Sequence, residues 1–242
     1  MPQEQVRARR GPRARHRRLA GLADEALFLA SSLLFIALAL RIDVVRGTGR
    51  FDLLATVAIL QYATPALTAL MHVGSLLADA TVLLIPLMAL WLWLERRARA
   101  ALLTLGSGLG AYGLTLCLKL IVQRAPPGRQ PLLGSIPAPS SSPLDTVMQL
   151  DNRYSFPSGH AVAVVVAYGL LVYFASRYLR GYLLAFVALA VAGIVALVAV
   201  SRIYLLRHYP TDVAGGLLFG FSWLLLSLRV LRAEVWRADH PS

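Results

Sequence analysis

The sequence predicts an all-α polytopic membrane protein with about six transmembrane helices. Hydrophobic residues make up 57% of its 242 positions, and its mean hydropathy is +0.64. Soluble domains are only about 45–50% apolar, even when glycine is counted. The apolar residues are grouped in runs close to the ~20 residues that cross a bilayer. Polar clusters lie at the ends of these runs, so any site they form is expected at one end of the helix bundle.

The net charge of +12 is carried mainly by arginine, and the arginines lie mostly beside apolar runs. In that position they are typical of topology signals, so we expect membrane lipids and no nucleic acid as partners. The one cysteine, Cys117, lies inside an apolar run. It therefore excludes a disulfide framework and a thiolate metal site. The sequence leaves the oligomeric state open.

Residues 1–23 are basic and are expected to be unstructured. They lack the short apolar region and cleavage site of a signal peptide, so we expect a retained cytoplasmic tail. Residues 24–232 form the predicted membrane domain, and residues 233–242 a second cytoplasmic tail. Six apolar segments are predicted to span the bilayer. They are Leu22–Val45, Val73–Leu94, Ala100–Val122, a helix from His160 to Ala175, Tyr182–Val200 and Pro210–Leu231.

Polar and helix-breaking residues mark the less regular parts of the chain. Phe51–Met71 contains Asp52 and Pro65, and we expect it to form one or two helices that lie at the outer surface. Pro86 is expected to kink the second span. Residues 123–156 are rich in proline and serine, which predicts an extracytoplasmic loop.

The distribution of cations predicts the orientation. With six spans, 15 of the 24 lysines and arginines fall on one side, and the positive-inside rule makes that side the cytoplasm. Both termini are then cytoplasmic, and the polar clusters face outward from what we expect to be a bacterial inner membrane. If Phe51–Met71 spanned as well, everything downstream of it would be inverted.

The first polar cluster is Pro157-Ser158-Gly159-His160, directly ahead of an apolar helix. The first N–H groups of a helix have no internal partner, and the helix dipole makes this end positive. Because glycine permits close approach to the backbone, the turn is suited to hold a phosphate group. The alternative is an ordinary helix N-cap followed by a histidine without a role.

The second cluster runs from Ser201 to Asp212 and contains Arg202 and His208. A helix is predicted to begin at Pro210, which places Asp212 in its first turn. The carboxylate can then hold one ring nitrogen of His208 and leave the other basic. The alternative is an aspartate that only complements the helix dipole.

Lys119 closes the third span, and its ammonium and the Arg202 guanidinium are donors suited to a phosphoryl group. Snorkelling to the membrane surface is the alternative for both cations. Ser201 follows His160 by 41 residues, which is about the length of two membrane crossings. All the polar groups can therefore meet at one end of the helices.

Together these clusters resemble the type-2 phosphatidic acid phosphatase family of integral membrane lipid phosphatases. The family's second and third motifs match as Pro157–His160 and Ser201–Asp212, within a similarity that covers about residues 50–232. The resemblance implies a phosphatase that uses no metal and no cofactor and passes through a phosphohistidine. By residue, it implies that His208 is the nucleophile, that Asp212 orients it, that His160 is the general acid, and that Lys119, Ser158, Gly159 and Arg202 bind the phosphate.

The family's first motif is only partly present. The family has an arginine seven residues after the lysine, followed by proline, but Pro126 occupies that position here. We expect Arg124, two residues earlier, to take over as a phosphate ligand, because a long guanidinium side chain can cover the displacement. Arg129 and Arg153 are the alternatives, as is a site with one ligand fewer.

The predicted function is hydrolysis of a lipid phosphomonoester or diphosphate: a polyprenyl diphosphate such as undecaprenyl diphosphate, phosphatidate or phosphatidylglycerophosphate. One alternative is a phosphotransferase that passes the phosphoryl group to a second lipid. Another is a non-catalytic lipid-binding or transport protein on the same scaffold, although the intact pair of His208 and Asp212 argues against it.

Asp79 is an ionisable residue inside a predicted span. Such residues are functional candidates by default, because burying a charge in a membrane is costly. For Asp79 a hydrogen bond to solvent or to a neighbouring helix is the favoured explanation.

Overall fold

The computed structural model describes residues 12–45, 49–129 and 153–239, and helices form the regular structure in these ranges. In chain order they are α1 (Pro12–Val45), α2 (Arg50–Leu60), α3 (Pro65–Asp79), α4 (Thr81–Leu94), α5 (Ala98–Val122), α6 (Gly159–Ala175), α7 (Gly181–Tyr204) and α8 (Pro210–Asp239), with a short 3₁₀ helix at Pro127–Arg129. Over the described residues, the predicted all-α class is confirmed.

The predicted spans coincide with helices. In the described part of the chain, five segments are long and apolar enough to cross a membrane. They are Gly21–Ile42, Pro65–Leu94, Ala98–Val122, Gly181–Tyr204 and Pro210–Glu234. The fourth predicted span is α6, which has 17 residues and a length of about 25 Å at ~1.5 Å per residue. The large apolar side chains of α7 lie exposed on the outside of the bundle, and a surface of this kind needs lipid around it. The protein is therefore an integral membrane protein.

The two expected tails are partly helical. α1 begins at Pro12, so residues 12–23 are not the unstructured segment that their charge suggested. α8 continues to Asp239, past the expected boundary at residue 232. Both helices extend beyond their apolar parts, because arginine and alanine are good helix formers outside a membrane as well. Residues 1–11 and 240–242 lie outside the described residues.

The segment Phe51–Met71 divides differently from the expectation. Its first part is α2, whose 11 residues are too short to span a bilayer. Its second part belongs to α3, which is nearly continuous with α4. The backbone N–H of Ala80 donates to Leu76 and the Ala80 carbonyl accepts from Leu84, so helical hydrogen bonds run through the junction. The second span thus begins at Pro65 and not at Val73.

Pro86 does not interrupt its helix. It lies inside α4, and the break between helices falls at Ala80, six residues earlier. Apolar neighbours surround this part of α4, with Ile85 and Met88 packed into the bundle. Tertiary packing of this kind holds a proline within a membrane helix.

α6 is the central helix of the bundle. Its Val162, Val164, Val166 and Leu170 side chains are completely or almost completely buried among α4, α5, α7 and α8. A glycine lets α8 approach closely, since a Cβ on Gly220 would lie 3.1 Å from the Cα of Val162. Because α6 and α8 each begin at one of the polar motifs, their close packing brings those motifs together.

Candidate active site

The segment 154–158 connects the polar elements. The ammonium of Lys119, near the end of α5, donates to the carbonyl oxygen of Tyr154 at 2.6 Å. His208, just ahead of α8, has Nδ1 at 2.8 Å from the carbonyl oxygen of Ser155. Groups far apart in the sequence are thus held at one end of the bundle, as the motif spacing predicted.

The Ser-Gly turn at the start of α6 is anchored to α8. The Ser158 backbone N–H donates to the carbonyl oxygen of Asp212 at 3.0 Å. The Ser158 hydroxyl is buried and has no hydrogen-bond partner among the described residues. Gly159 is the first residue of α6, so this hydroxyl lies beside the first-turn N–H groups that can hold an anion.

Gly216 on α8 makes this close approach possible. A Cβ at Gly216 would lie 2.6 Å from the carbonyl oxygen of Ser158, and one at Gly215 would lie 2.4 Å from the ring of Phe156. Real Cβ atoms do not come so near to backbone or ring atoms. The motif pattern gave no role to either glycine, because a glycine in an apolar helix is an ordinary feature of membrane proteins.

Arg202 lies in the last turn of α7, and its side chain is completely buried. Its Nη1 donates to the hydroxyl of Ser75 on α3 at 2.7 Å. The Arg202 carbonyl oxygen accepts from the backbone N–H groups of Arg207 and His208, at 3.0 and 3.1 Å. Leu206, with φ of 56° in the left-handed region, completes this tight turn. The turn carries His208 back toward the end of α7.

The partner of His208 determines which ring nitrogen is reactive. A nitrogen that faces a carbonyl oxygen carries the proton, so Nδ1 is protonated in the neutral ring and Nε2 has the lone pair. We expected Asp212 to make this contact, but the acceptor at Nδ1 is Ser155. Asp212 instead accepts from Arg124 at 2.5 Å and from the Tyr209 backbone N–H at 2.8 Å. The carboxylate therefore braces the turn that carries His208.

Arg124 joins α2 to α8 through buried ion pairs. Its Nη2 lies 2.5 Å from Asp52, its Nη1 lies 2.5 Å from Asp212, and its guanidinium lies 4.5 Å above the Tyr209 ring. Asp52 also accepts from the Thr211 backbone N–H and hydroxyl, at 3.0 and 2.7 Å. Burial lowers the pKa of Arg124, but the carboxylates of Asp212 and Asp52 outweigh this effect and raise it overall. The guanidinium stays charged.

These contacts argue against the expectation that Arg124 binds phosphate. Both of its terminal nitrogens donate to carboxylates, and uptake of phosphate would strand two buried negative charges. Of the alternatives, Arg153 is exposed and lies 5.6 Å over the Tyr154 ring. The side chain of Arg129 is outside the described residues. A phosphate held by Arg129, or by one ligand fewer than the family pattern has, stays a hypothesis.

His160 contacts a carboxylate from another helix. Its Nε2 lies 3.1 Å from Oδ1 of Asp79, at the end of α3, and the two side chains are 8% and 10% exposed. The favoured explanation for Asp79, a bond to a neighbouring helix, thus applies, but the partner is a predicted site residue. Both side chains border an apolar cavity between α4, α5 and α6. Its other lining residues include Val82, Ile85, Ala111, Tyr112, Leu116, Val162 and Ala163.

The site residues are cations, histidines and hydroxyls, with carboxylates that are already paired. Over residues 12–45, 49–129 and 153–239, histidine, cysteine, aspartate and glutamate side chains do not gather in threes at metal-binding distance. The expectation that the reaction needs no metal and no cofactor stays a prediction.

This chain is similar in sequence to one protein family and to one known protein. A family model described as the PAP2 superfamily matches residues 97–236. Phosphatidylglycerophosphatase B of Bacillus subtilis (strain 168) is 35% identical over 75 aligned positions, and the match covers 29% of this chain and 36% of that protein. The match therefore spans about a third of the relative.

One solved structure is similar over most of its length. It is the crystal structure of a transmembrane PAP2 type phosphatidylglycerolphosphate phosphatase from Bacillus subtilis, with a TM-score of 0.63 and 24% sequence identity. The similarity covers 85% of this chain and 96% of that one. At this level of identity it shows the fold alone.

Proposed function

This chain belongs to the PAP2 superfamily, and we propose that it hydrolyses a phosphate ester or diphosphate of a membrane lipid. The observation that carries the proposal is the buried set of His208, Lys119 and Arg202, which the segment 154–158 and the turn after α7 hold just ahead of α6. Cations and a helix N-terminus in a buried site are suited to the charge of a phosphoryl group in transfer. A histidine whose Nδ1 is held by a carbonyl is suited to attack through Nε2.

The proposed reaction has two steps. In the first, Nε2 of His208 attacks phosphorus, a P–N bond forms, and the P–O bond to the lipid breaks. His160 gives a proton to the leaving oxygen, which takes the electron pair of the broken bond. In the second step water attacks phosphorus, His160 takes a proton from the water, and the P–N bond breaks to release inorganic phosphate.

The phosphate is proposed to be held by Lys119, Arg202, the Ser158 hydroxyl and the Gly159 N–H. Lys119 and Arg202 neutralise the equatorial oxygens. The hydroxyl and the amide lie at the positive end of the α6 dipole. The apolar cavity beside His160 supports a lipid as leaving group, because an apolar chain there would be removed from water.

The name of the curated relative makes phosphatidylglycerophosphate the first substrate to test. Phosphatidate and a polyprenyl diphosphate, undecaprenyl diphosphate among them, complete the panel. We expect purified protein to release inorganic phosphate from at least one of these lipids, at the same rate with and without a chelator. No release of phosphate from any of these lipids, or a strict requirement for Mg²⁺, would count against the proposal. A product that forms only when a second lipid is added would identify a phosphotransferase.

The site is further proposed to face the outside of a bacterial inner membrane, with both termini in the cytoplasm. The arginine distribution supports this, and α2, which is too short to span, does not invert it. With Cys117→Ala as background, we expect Arg153→Cys to react with a membrane-impermeant maleimide added to intact cells. Ala98 and Ser176 are exposed at the ends of α5 and α6 that lie away from the site. Ala98→Cys and Ser176→Cys should therefore react only after permeabilisation. The reverse pattern would place the site in the cytoplasm.

A further inference from the structure

We propose that Asp79 is a positioning residue for His160, an inference that rests on the proposed function. Nε2 of His160 lies 3.1 Å from Oδ1 of Asp79. A carboxylate accepts and cannot donate while it is ionised, so this contact assigns a proton to Nε2. The nitrogen that exchanges a proton with the leaving oxygen is then Nδ1.

The location of Asp79 is unfavourable unless it has such a role. It lies at the junction of α3 and α4, inside the apolar span Pro65–Leu94, where a charged side chain is costly. Its Oδ2 is buried and has no hydrogen-bond partner among the described residues. A buried carboxylate with a hydrogen bond to only one of its oxygens needs an explanation other than packing.

The location of His160 is also unfavourable. It lies in the first turn of α6, where the dipole is positive and disfavours the charged imidazolium that a general acid requires. The Asp79 carboxylate offsets this at short range. Each group thus compensates for the other's unfavourable position, and the pair places a charged acid beside the apolar cavity that both side chains border.

The proton movements follow from this assignment. In the first step the His160 imidazolium keeps its Nε2–H hydrogen-bonded to Asp79 and gives the Nδ1 proton to the leaving oxygen. In the second step the same Nδ1 takes a proton from the attacking water. Asp79 accepts from Nε2–H in both steps and never contacts the substrate, so its effect reaches the reaction only through His160.

The test is a double-mutant cycle of Asp79→Ala and His160→Ala, measured with two leaving groups. One substrate is the lipid phosphate with the highest turnover, whose alkoxide needs a proton to leave. The other is p-nitrophenyl phosphate, whose phenolate does not. The measured quantity is kcat/KM, because it reports only the steps up to departure of the leaving group.

We expect Asp79→Ala to lower kcat/KM for the lipid by about 10–100-fold, part of the usual contribution of a general acid. For p-nitrophenyl phosphate the decrease should be about threefold or less. The double variant should be no slower than His160→Ala alone, since residues that act as a unit are not additive. Asp79→Asn, whose amide oxygen can still accept from Nε2, should lie between wild type and Asp79→Ala.

Asp24→Ala is the matched control, because it removes an aspartate that pairs with Arg232 away from the site. It should change neither the lipid nor the aryl rate. If Asp79→Ala folds poorly, the near-isosteric Asp79→Asn carries the same comparison of the two leaving groups. Equal losses on both substrates, or losses that add to those of His160→Ala, would overturn the inference while leaving the phosphatase proposal in place. A wild-type protein inactive on both substrates would overturn both.

Discussion

Replacing His208 with alanine is expected to lower kcat by on the order of 10⁴-fold or more, because the variant lacks the atom that forms the bond to phosphorus. The cations and the start of α6 remain, so inhibition by inorganic phosphate should change much less than the rate. The measurement is phosphate release at saturating substrate, together with the inhibition constant for phosphate.

His72→Ala is the matched control for this variant. His72 lies on α3 and is partly exposed, and it belongs to none of the contacts that build the site. Its replacement should leave turnover close to wild type. A His208→Ala protein that kept the wild-type rate would remove the proposed mechanism altogether.

Replacing Arg124 with alanine is expected to destabilise the protein by about 3–5 kcal/mol, the usual effect of removing one partner of a buried ion pair. Asp52 and Asp212 would both be left buried without their cation, since their side chains are only 4% and 0% exposed. Because α2 and the start of α8 are joined through this guanidinium, turnover should fall as well. Unfolding in detergent, followed together with activity, measures both effects.

The Arg124 variants also separate an ion-pair role from a phosphate-binding role. Arg124→Lys keeps the charge, but one ammonium cannot replace the two-sided contact of a guanidinium, so its stability should be intermediate. Arg124→Ala combined with Asp52→Asn should be more stable than Arg124→Ala alone, because one stranded charge is gone. Full stability in Arg124→Ala together with weakened phosphate inhibition would instead restore the original expectation of a phosphate ligand.

Composition and segment length predicted most of the fold, because a bilayer demands long apolar helices whatever their neighbours are. The prediction failed where a tertiary contact determines the environment of a residue. Asp52 suggested an exposed surface helix, but its carboxylate is buried against Arg124, 72 residues away.

The sequence motifs placed the central site residues at one end of the bundle, because their spacing matches two crossings of a membrane. The residues that orient these side chains could not be predicted from the sequence. Ser155 acts through its backbone carbonyl, which leaves no sequence signal. The contact between Asp79 and His160 joins residues 81 positions apart. Gly216 matters only because of what faces it.

The phosphohistidine on His208 can be tested most directly by trapping it. The His160→Ala variant, given ³²P-labelled p-nitrophenyl phosphate, should complete the first step, because this leaving group needs no acid. It should then stall, because the base for the second step is gone. After an alkaline quench, we predict label that is stable to base and labile to acid, on the peptide that contains His208, and none in the double variant His208→Ala/His160→Ala. Label on another residue, or release of phosphate at the wild-type rate without any labelled intermediate, would contradict the mechanism.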